Sequence, residues 1–154
     1  MTIVAAGIGV FLTGCAHEPT YVATVSGDSA AVVRVPMHFS MSLTSLGKSI
    51  DRIDGLPIPA AQRPQGPVRV DPGERTVQVS GTWCCRPVGH GFHGGTTLQA
   101  NLQPGHSYAL RAEFDAGTMT FWLEDESSHE TAGERRSTDT EAVTVSGLQL
   151  PAFH

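Results

Sequence analysis

Two cysteines and two histidines lie close together in the middle of the chain. Cys84 and Cys85 are adjacent, and His90 and His93 follow in a segment with four glycines between positions 89 and 95. Cysteine sulfur and imidazole nitrogen are donors that suit Zn²⁺ and copper ions. A glycine-rich loop that bends around an ion would make Cys84, Cys85, His90 and His93 the ligands of a metal site.

The spacing of these residues also supports a second interpretation. If the strand through Trp83 continues, Cys84 and Cys85 point to opposite faces and cannot share one ion. The Cys-x-x-Cys spacing of strong zinc sites is absent here. One cysteine then packs as a small apolar residue, and the histidines occupy a loop. A disulfide between the neighbours would be strained, since their α-carbons lie about 3.8 Å apart; a bridge to another molecule and two thiols are the alternatives.

Other catalytic patterns are incomplete. Gly89, Gly91 and Gly94 match Gly-x-Gly-x-x-Gly, but residues 96–102 alternate like a strand and do not form the helix that a dinucleotide site needs. His129 starts a His-Glu pair without the second histidine of a metalloprotease, and no Gly-x-Ser-x-Gly elbow occurs. The sequence therefore predicts a protein that is not an enzyme.

A third cysteine stands near the start of the chain. An apolar run from Ile3 to Leu12 leads into Leu12, Thr13, Gly14 and Cys15. This pattern resembles the lipobox of bacterial lipoproteins, in which the leader is cut before the cysteine and the thiol receives a diacylglyceryl group. The resemblance implies lipidation at Cys15, and because Ala16 is not aspartate, it implies attachment to the outer membrane.

The apolar run is too short to be a permanent membrane span, because a bilayer-crossing helix needs roughly twenty residues. Residues 1–14 are therefore predicted to be a signal peptide that is removed. Met1 and Thr2 do not supply the basic residue that usually opens such a peptide. A translation start upstream of Met1 is the alternative.

Composition indicates one domain rich in turns. Removing residues 1–14 leaves 140 residues, enough for one domain of ordinary size. Seventeen glycines and ten prolines, with only 16% charged residues, favour short strands over long helices. The net charge of −5 and the lack of a basic cluster larger than Arg135 and Arg136 argue against a nucleic-acid partner.

Apolar and polar residues alternate along most of the chain. The clearest case is Met37, Phe39, Met41 and Leu43, and further alternating stretches follow within 76–83, 98–102, 108–114 and 119–123. Turn dipeptides or tripeptides separate them: Asp54-Gly55, Asp71-Pro72-Gly73, Pro104-Gly105 and Ala116-Gly117. This pattern predicts an all-β protein, a single antiparallel β-sandwich. Trp83, Tyr108, Phe114 and Trp122 are predicted to lie in its core.

The same pattern sets the predicted boundaries. Residues 15–28 are a lipidated linker, residues 29–125 the β-sandwich domain, and residues 126–154 a polar tail with at most one extra strand near Ala142 to Val145. The consecutive acids Glu124, Asp125 and Glu126 are predicted to form a solvated strand end, because their side chains point in different directions.

Residues 30–125 resemble small bacterial lipoproteins that carry a PEGA-like or carboxypeptidase-regulatory-like β-sandwich, an immunoglobulin-like architecture. The resemblance rests on residues 53–57, 68–77, 103–110 and 122–125. It implies a sandwich without catalytic residues, anchored on the periplasmic side of the outer membrane through acylated Cys15. We expect a binding or structural module with an envelope protein as partner and no cofactor; the alternative is a Zn²⁺- or copper-binding lipoprotein that uses Cys84, Cys85, His90 and His93.

Overall fold

The computed structural model describes residues 18–36, 44–59, 66–85 and 90–144, with Thr44 and Cys85 described as backbone only. The predictions for the signal peptide 1–14, for the lipidated Cys15 and for the alternating stretch from Met37 to Leu43 lie outside these residues.

The described residues form two sheets that pack face to face. In chain order the strands are β1 (Ala31–Arg34), β2 (Thr44–Ile53), β3 (Leu56–Pro57), β4 (Val68–Val70), β5 (Gly73–Cys85), β6 (His90–Leu102), β7 (Ser107–Asp115), β8 (Thr118–Asp125), β9 (Arg136–Asp139) and β10 (Glu141–Thr144). The first sheet has the order β4-β1-β7-β8-β9 and the second the order β10-β6-β5-β2-β3. The predicted all-β sandwich is confirmed. Its described strand pairs are antiparallel except β1 and β7, which run parallel.

The core lies between the two sheets. Every second residue of the long strands points inward, because side chains alternate between the two faces of a strand. The largest fully buried side chains are Tyr108, Phe121, Ile53, Leu98, Leu102, Leu110, Met119 and Leu123. Gly81 and Gly94 face each other on β5 and β6. A side chain at Gly81 would crowd Met119 and Phe121, so this glycine allows the first sheet to approach closely.

The sandwich has two distinct ends. The distal end carries the end of β5 at Cys85, the start of β6 at His90 and the turn between β7 and β8. The proximal end carries the turns β2–β3, β4–β5 and β6–β7. Asp54 and Gly55 (φ 49° and 79°) adopt the left-handed conformation that the sequence predicted for a tight hairpin. Ala116 and Gly117, predicted as a turn, adopt it too (φ 45° and 88°).

Residues 18–28, which the sequence assigned to a linker, pack on the sandwich. Tyr21 is only 7% exposed and belongs to the core cluster. Its backbone nitrogen donates to Pro57 O of β3 at 2.9 Å. The sequence pattern did not reveal this contact, because the two residues are distant along the chain.

The polar segment after Asp125 also differs from its prediction. It contributes two strands rather than at most one: β9 pairs with β8, and β10 pairs with β6. The chain therefore passes from one sheet to the other at Thr140, whose backbone nitrogen donates to Gly117 O at 2.9 Å. These strands are held by backbone pairing and lack the apolar alternation from which a strand is predicted.

Candidate functional site

The predicted glycine-rich metal loop is largely strand. β6 begins at His90, so Gly91, Gly94 and Gly95 lie within the β5–β6 hairpin. Gly94 has the side chains of Thr138 and Thr140 close by, and its lack of a side chain makes room for them. The glycines thus serve close packing in the sheet.

Strand pairing separates the predicted ligands. Thr82 pairs with His93, Trp83 with Phe92, and Cys84 with Gly91. Because paired residues share a face and neighbours alternate, Cys84 and His93 lie on the outer face, while His90 shares the inward row of Phe92. His93 Nδ1 lies 3.1 Å from Thr82 Oγ1, and Cys84 is a free thiol. The Cys85 side chain lies outside the described residues, and within them no group of three His, Cys, Asp or Glu is placed to hold a metal ion.

Three aromatic rings meet at the distal end of the sandwich. Trp83 stacks on Phe114 with ring centroids 4.5 Å apart, and Phe92 lies 5.2 Å from Phe114. Trp83 and Phe114 are half-buried and pack against the core from its edge. Tyr108 lies fully in the core, as predicted. Trp122 is buried as well, at 6% exposure, but on the outer row of β8, where the guanidinium of Arg135 lies 4.1 Å from its ring centroid.

Asp125 is the most heavily hydrogen-bonded carboxylate at the proximal end. It is 6% exposed and accepts bonds from Ser127 Oγ at 2.5 Å, Ser127 N at 2.8 Å and Ser128 N at 3.2 Å. His106 Nδ1 lies 2.6 Å from its other oxygen. Bonds from the Ser127 hydroxyl and from His106 hold the pKa of Asp125 far below its ordinary value.

This arrangement differs from the triad of serine hydrolases. There the imidazole lies between the serine hydroxyl and the carboxylate and takes the hydroxyl proton. Here Asp125 lies between Ser127 and His106, and the hydroxyl donates to the carboxylate. The geometry closes the β8–β9 connection and does not activate Ser127 as a nucleophile.

The two acids beside Asp125 are ion-paired rather than simply solvated. Arg111 Nη2 lies 2.9 Å from Glu124 Oε1, and His129 Nδ1 lies 3.6 Å from the same oxygen. The hydrogen bond from Arg111 lowers the pKa of Glu124. Arg34 Nε lies 3.9 Å from Glu126 at the exposed rim. The sequence did not reveal Arg34 and Arg111 as partners, because they are distant along the chain from the acids they contact.

Lys48 is half-buried on the inward row of β2, opposite Gly81. Burial of its ammonium group lowers the pKa of Lys48, and the positive charge of Arg111 lowers it further. Lys48 thus shares the inward row of Leu46 and Ile50.

The N-terminal segment is fastened to the proximal end by Asp71. The Asp71 carboxylate accepts from Thr24 N and Val25 N, both at 2.8 Å, and from Thr24 Oγ1 at 3.0 Å. These bonds, led by the one from Val25, lower the pKa of Asp71. Tyr21 Oη accepts from Asp71 N at 3.0 Å. The turn that the sequence predicted at Asp71 therefore also anchors the chain that precedes β1.

Comparison with known proteins identifies no relative: no family model, no curated protein and no solved structure matches this chain significantly. Among the described residues, none belongs to a helix long and apolar enough to traverse a lipid bilayer.

Proposed function

We propose that the protein is a lipoprotein of the bacterial outer membrane, anchored on the periplasmic side through acylated Cys15, and that its β-sandwich acts as a non-enzymatic binding or structural module. The observation that carries the proposal is the apolar run that ends in Leu12, Thr13, Gly14 and Cys15. Acyl chains on one thiol provide an anchor because each buried methylene contributes about 0.8 kcal/mol.

The fold of the N-terminal segment supports this proposal. Glu18 already contacts the sandwich, since Arg52 Nη1 lies 2.7 Å from its carboxylate. Only Ala16 and His17 separate Glu18 from Cys15 in the sequence. A lipid on Cys15 would therefore hold the sandwich close to the membrane surface.

The hydrogen bonds of the polar clusters support a non-enzymatic role. Ser127 and His106 both bond to Asp125 and not to each other, and Glu124 is engaged by Arg111. These groups stabilise turns and strand pairs. In this proposal the outer faces of the two sheets are available for an envelope partner.

Membrane fractionation of cells that express the full chain tests the anchor. We expect the wild type and the matched control Cys84→Ser to remain in the outer-membrane fraction through salt and alkaline washes and to be released by detergent. Cys15→Ser should leave that fraction or accumulate with its leader attached. Identical behaviour of Cys15→Ser and Cys84→Ser would refute the proposal.

The metal-binding alternative is tested by measuring the metal content of the purified protein and its variants. Stoichiometric Zn²⁺ or copper that is lost in both Cys84→Ser and His93→Ala would establish it. The placement of His90 and His93 on opposite faces of β6 does not favour one shared site.

A further inference from the structure

Two large apolar side chains are exposed in the described part of the chain. Val22 is 72% exposed and Leu56 is 36% exposed. They lie on adjoining segments, because the backbone nitrogen of Tyr21 donates to Pro57 O at 2.9 Å. Both segments belong to the β2–β3 side of the proximal end. Two exposed apolar residues on adjoining segments provide a small apolar surface, and apolar surfaces can mark contacts with a membrane.

The chain that would carry the lipid ends at this same place. Arg52 Nη1 bonds to Glu18 Oε1 and to Gly55 O, both at 2.7 Å, so Glu18 lies at the β2–β3 turn. Cys15 precedes Glu18 by three residues. An extended chain spans at most about 3.6 Å per residue, which places the α-carbon of an acylated Cys15 within roughly 11 Å of the Glu18 α-carbon.

Two ion pairs and a further carboxylate lie near the two apolar residues. Glu18 pairs with Arg52 at 2.7 Å, and Asp54 pairs with Arg75 at 2.9 Å. Asp71, which accepts from Thr24 N and Val25 N, adds a negative charge, so these groups carry no net positive charge that would attract anionic lipid. Contact with the bilayer would depend on apolar burial and not on anionic lipid.

We infer that Val22 and Leu56 form a membrane-contact patch that inserts into the headgroup region of the bilayer holding the acylated Cys15. The inference rests on the proposed lipidation. The short tether brings the patch to the membrane surface, and the distal end with Trp83 and Phe114 then points away from it. The patch fixes the orientation of the sandwich, which a lipid on a flexible tether would not do.

Depth-dependent quenching tests the orientation. An environment-sensitive fluorophore is attached to a single cysteine at position 22 or 56 of the acylated full chain, in a Cys84→Ser, Cys85→Ser background. Asp139→Cys, exposed on β9 near the distal end, is the matched control. The proteins are reconstituted into phosphatidylcholine vesicles containing spin-labelled lipid. We expect a blue shift and strong quenching at positions 22 and 56 and neither at position 139.

A second variant excludes an effect of the fluorophore itself. Leu56→Asp, with the probe at position 22, should reduce the quenching without changing the fold, since Leu56 is exposed. Replacing part of the phosphatidylcholine by phosphatidylglycerol should leave the quenching unchanged. Equal quenching at positions 22, 56 and 139 in a chain whose mass shows the lipid overturns the patch alone. A chain that lacks the lipid overturns the anchor and the patch together.

Discussion

Asp125 shows how a residue that looks solvated in the sequence becomes a structural centre. Within Glu124–Glu126 the sequence predicted three acids pointing in different directions, and that is what the strand end shows. The sequence could not show that the middle carboxylate meets Ser127 N, Ser128 N and the imidazole of His106. The serines follow Asp125 closely in the sequence and form a turn with it, whereas His106 lies in the β6–β7 turn.

Replacing Asp125 should make the stability less dependent on pH. Because the pKa of Asp125 is lowered in the folded state, the unfolded chain binds the proton first as pH falls below about 4. The stabilisation is therefore complete above that pH and is lost as pH falls further. Asp125→Asn should cost about 2 kcal/mol at pH 7 and flatten the acid limb of the free energy of unfolding, measured with urea.

Ser127→Ala is the graded control for this measurement. It removes the hydroxyl donor and retains the bonds from the backbone and from His106. Its free energy of unfolding should therefore lie between that of the wild type and that of Asp125→Asn. Wild-type stability of Asp125→Asn at neutral pH would show that the cluster does not stabilise the fold.

Gly133 makes the closest backbone approach in the polar segment. Its φ is +121°, and a β-carbon there would overlap Gln99 O on β6. Gly133→Ala should cost about 3 kcal/mol or more, because the left-handed conformation and the overlap add together. Gly117→Ala has φ +88° with nothing near the added carbon, so it should cost only about 1 kcal/mol. Equal losses in urea unfolding would contradict the packing of this segment against β6.

At the scale of elements, apolar alternation predicted the strands that build the core. β5, β7 and β8 each contain the predicted stretch, the turn at Asp54-Gly55 has the predicted left-handed backbone, and a turn occurs at Ala116-Gly117 as predicted. β10 lies where the sequence allowed one extra strand, whereas β9 was not predicted, because its side chains are mostly exposed and its pairing uses backbone groups. The start of β6 escaped because glycines interrupt the alternation.

The N-terminal segment gives a direct test at this scale. Tyr21→Ala removes a core side chain and the hydroxyl that accepts from Asp71 N, so we expect a loss of about 3 kcal/mol in the free energy of unfolding. Val22→Ala, at the exposed neighbouring position, should change it by less than about 0.5 kcal/mol in the absence of membranes. Similar small effects of both changes would show that residues 18–28 do not contribute to the stability of the sandwich.

For the whole molecule, the sheet edges limit how a partner can bind. The described edge strands are short: β3 has two residues, β4 has three, and β9 and β10 have four each. These short strands offer few free backbone groups for strand addition. They cover only part of their neighbours, since β3 pairs only with Arg52 and Ile53 of β2. We expect an envelope partner to use the outer faces, and deuterium exchange on the isolated complex should show protection there and not along β3 or β4.

The central claim is that a lipid on Cys15 fastens the β-sandwich to the outer membrane. The most direct test is the intact mass of the polypeptide extracted from the membranes of the cells that make it. The account predicts a chain that starts at Cys15 and carries a diacylglyceryl group on that residue. A chain that retains residues 1–14, or that starts at Cys15 with an unmodified thiol, would contradict it.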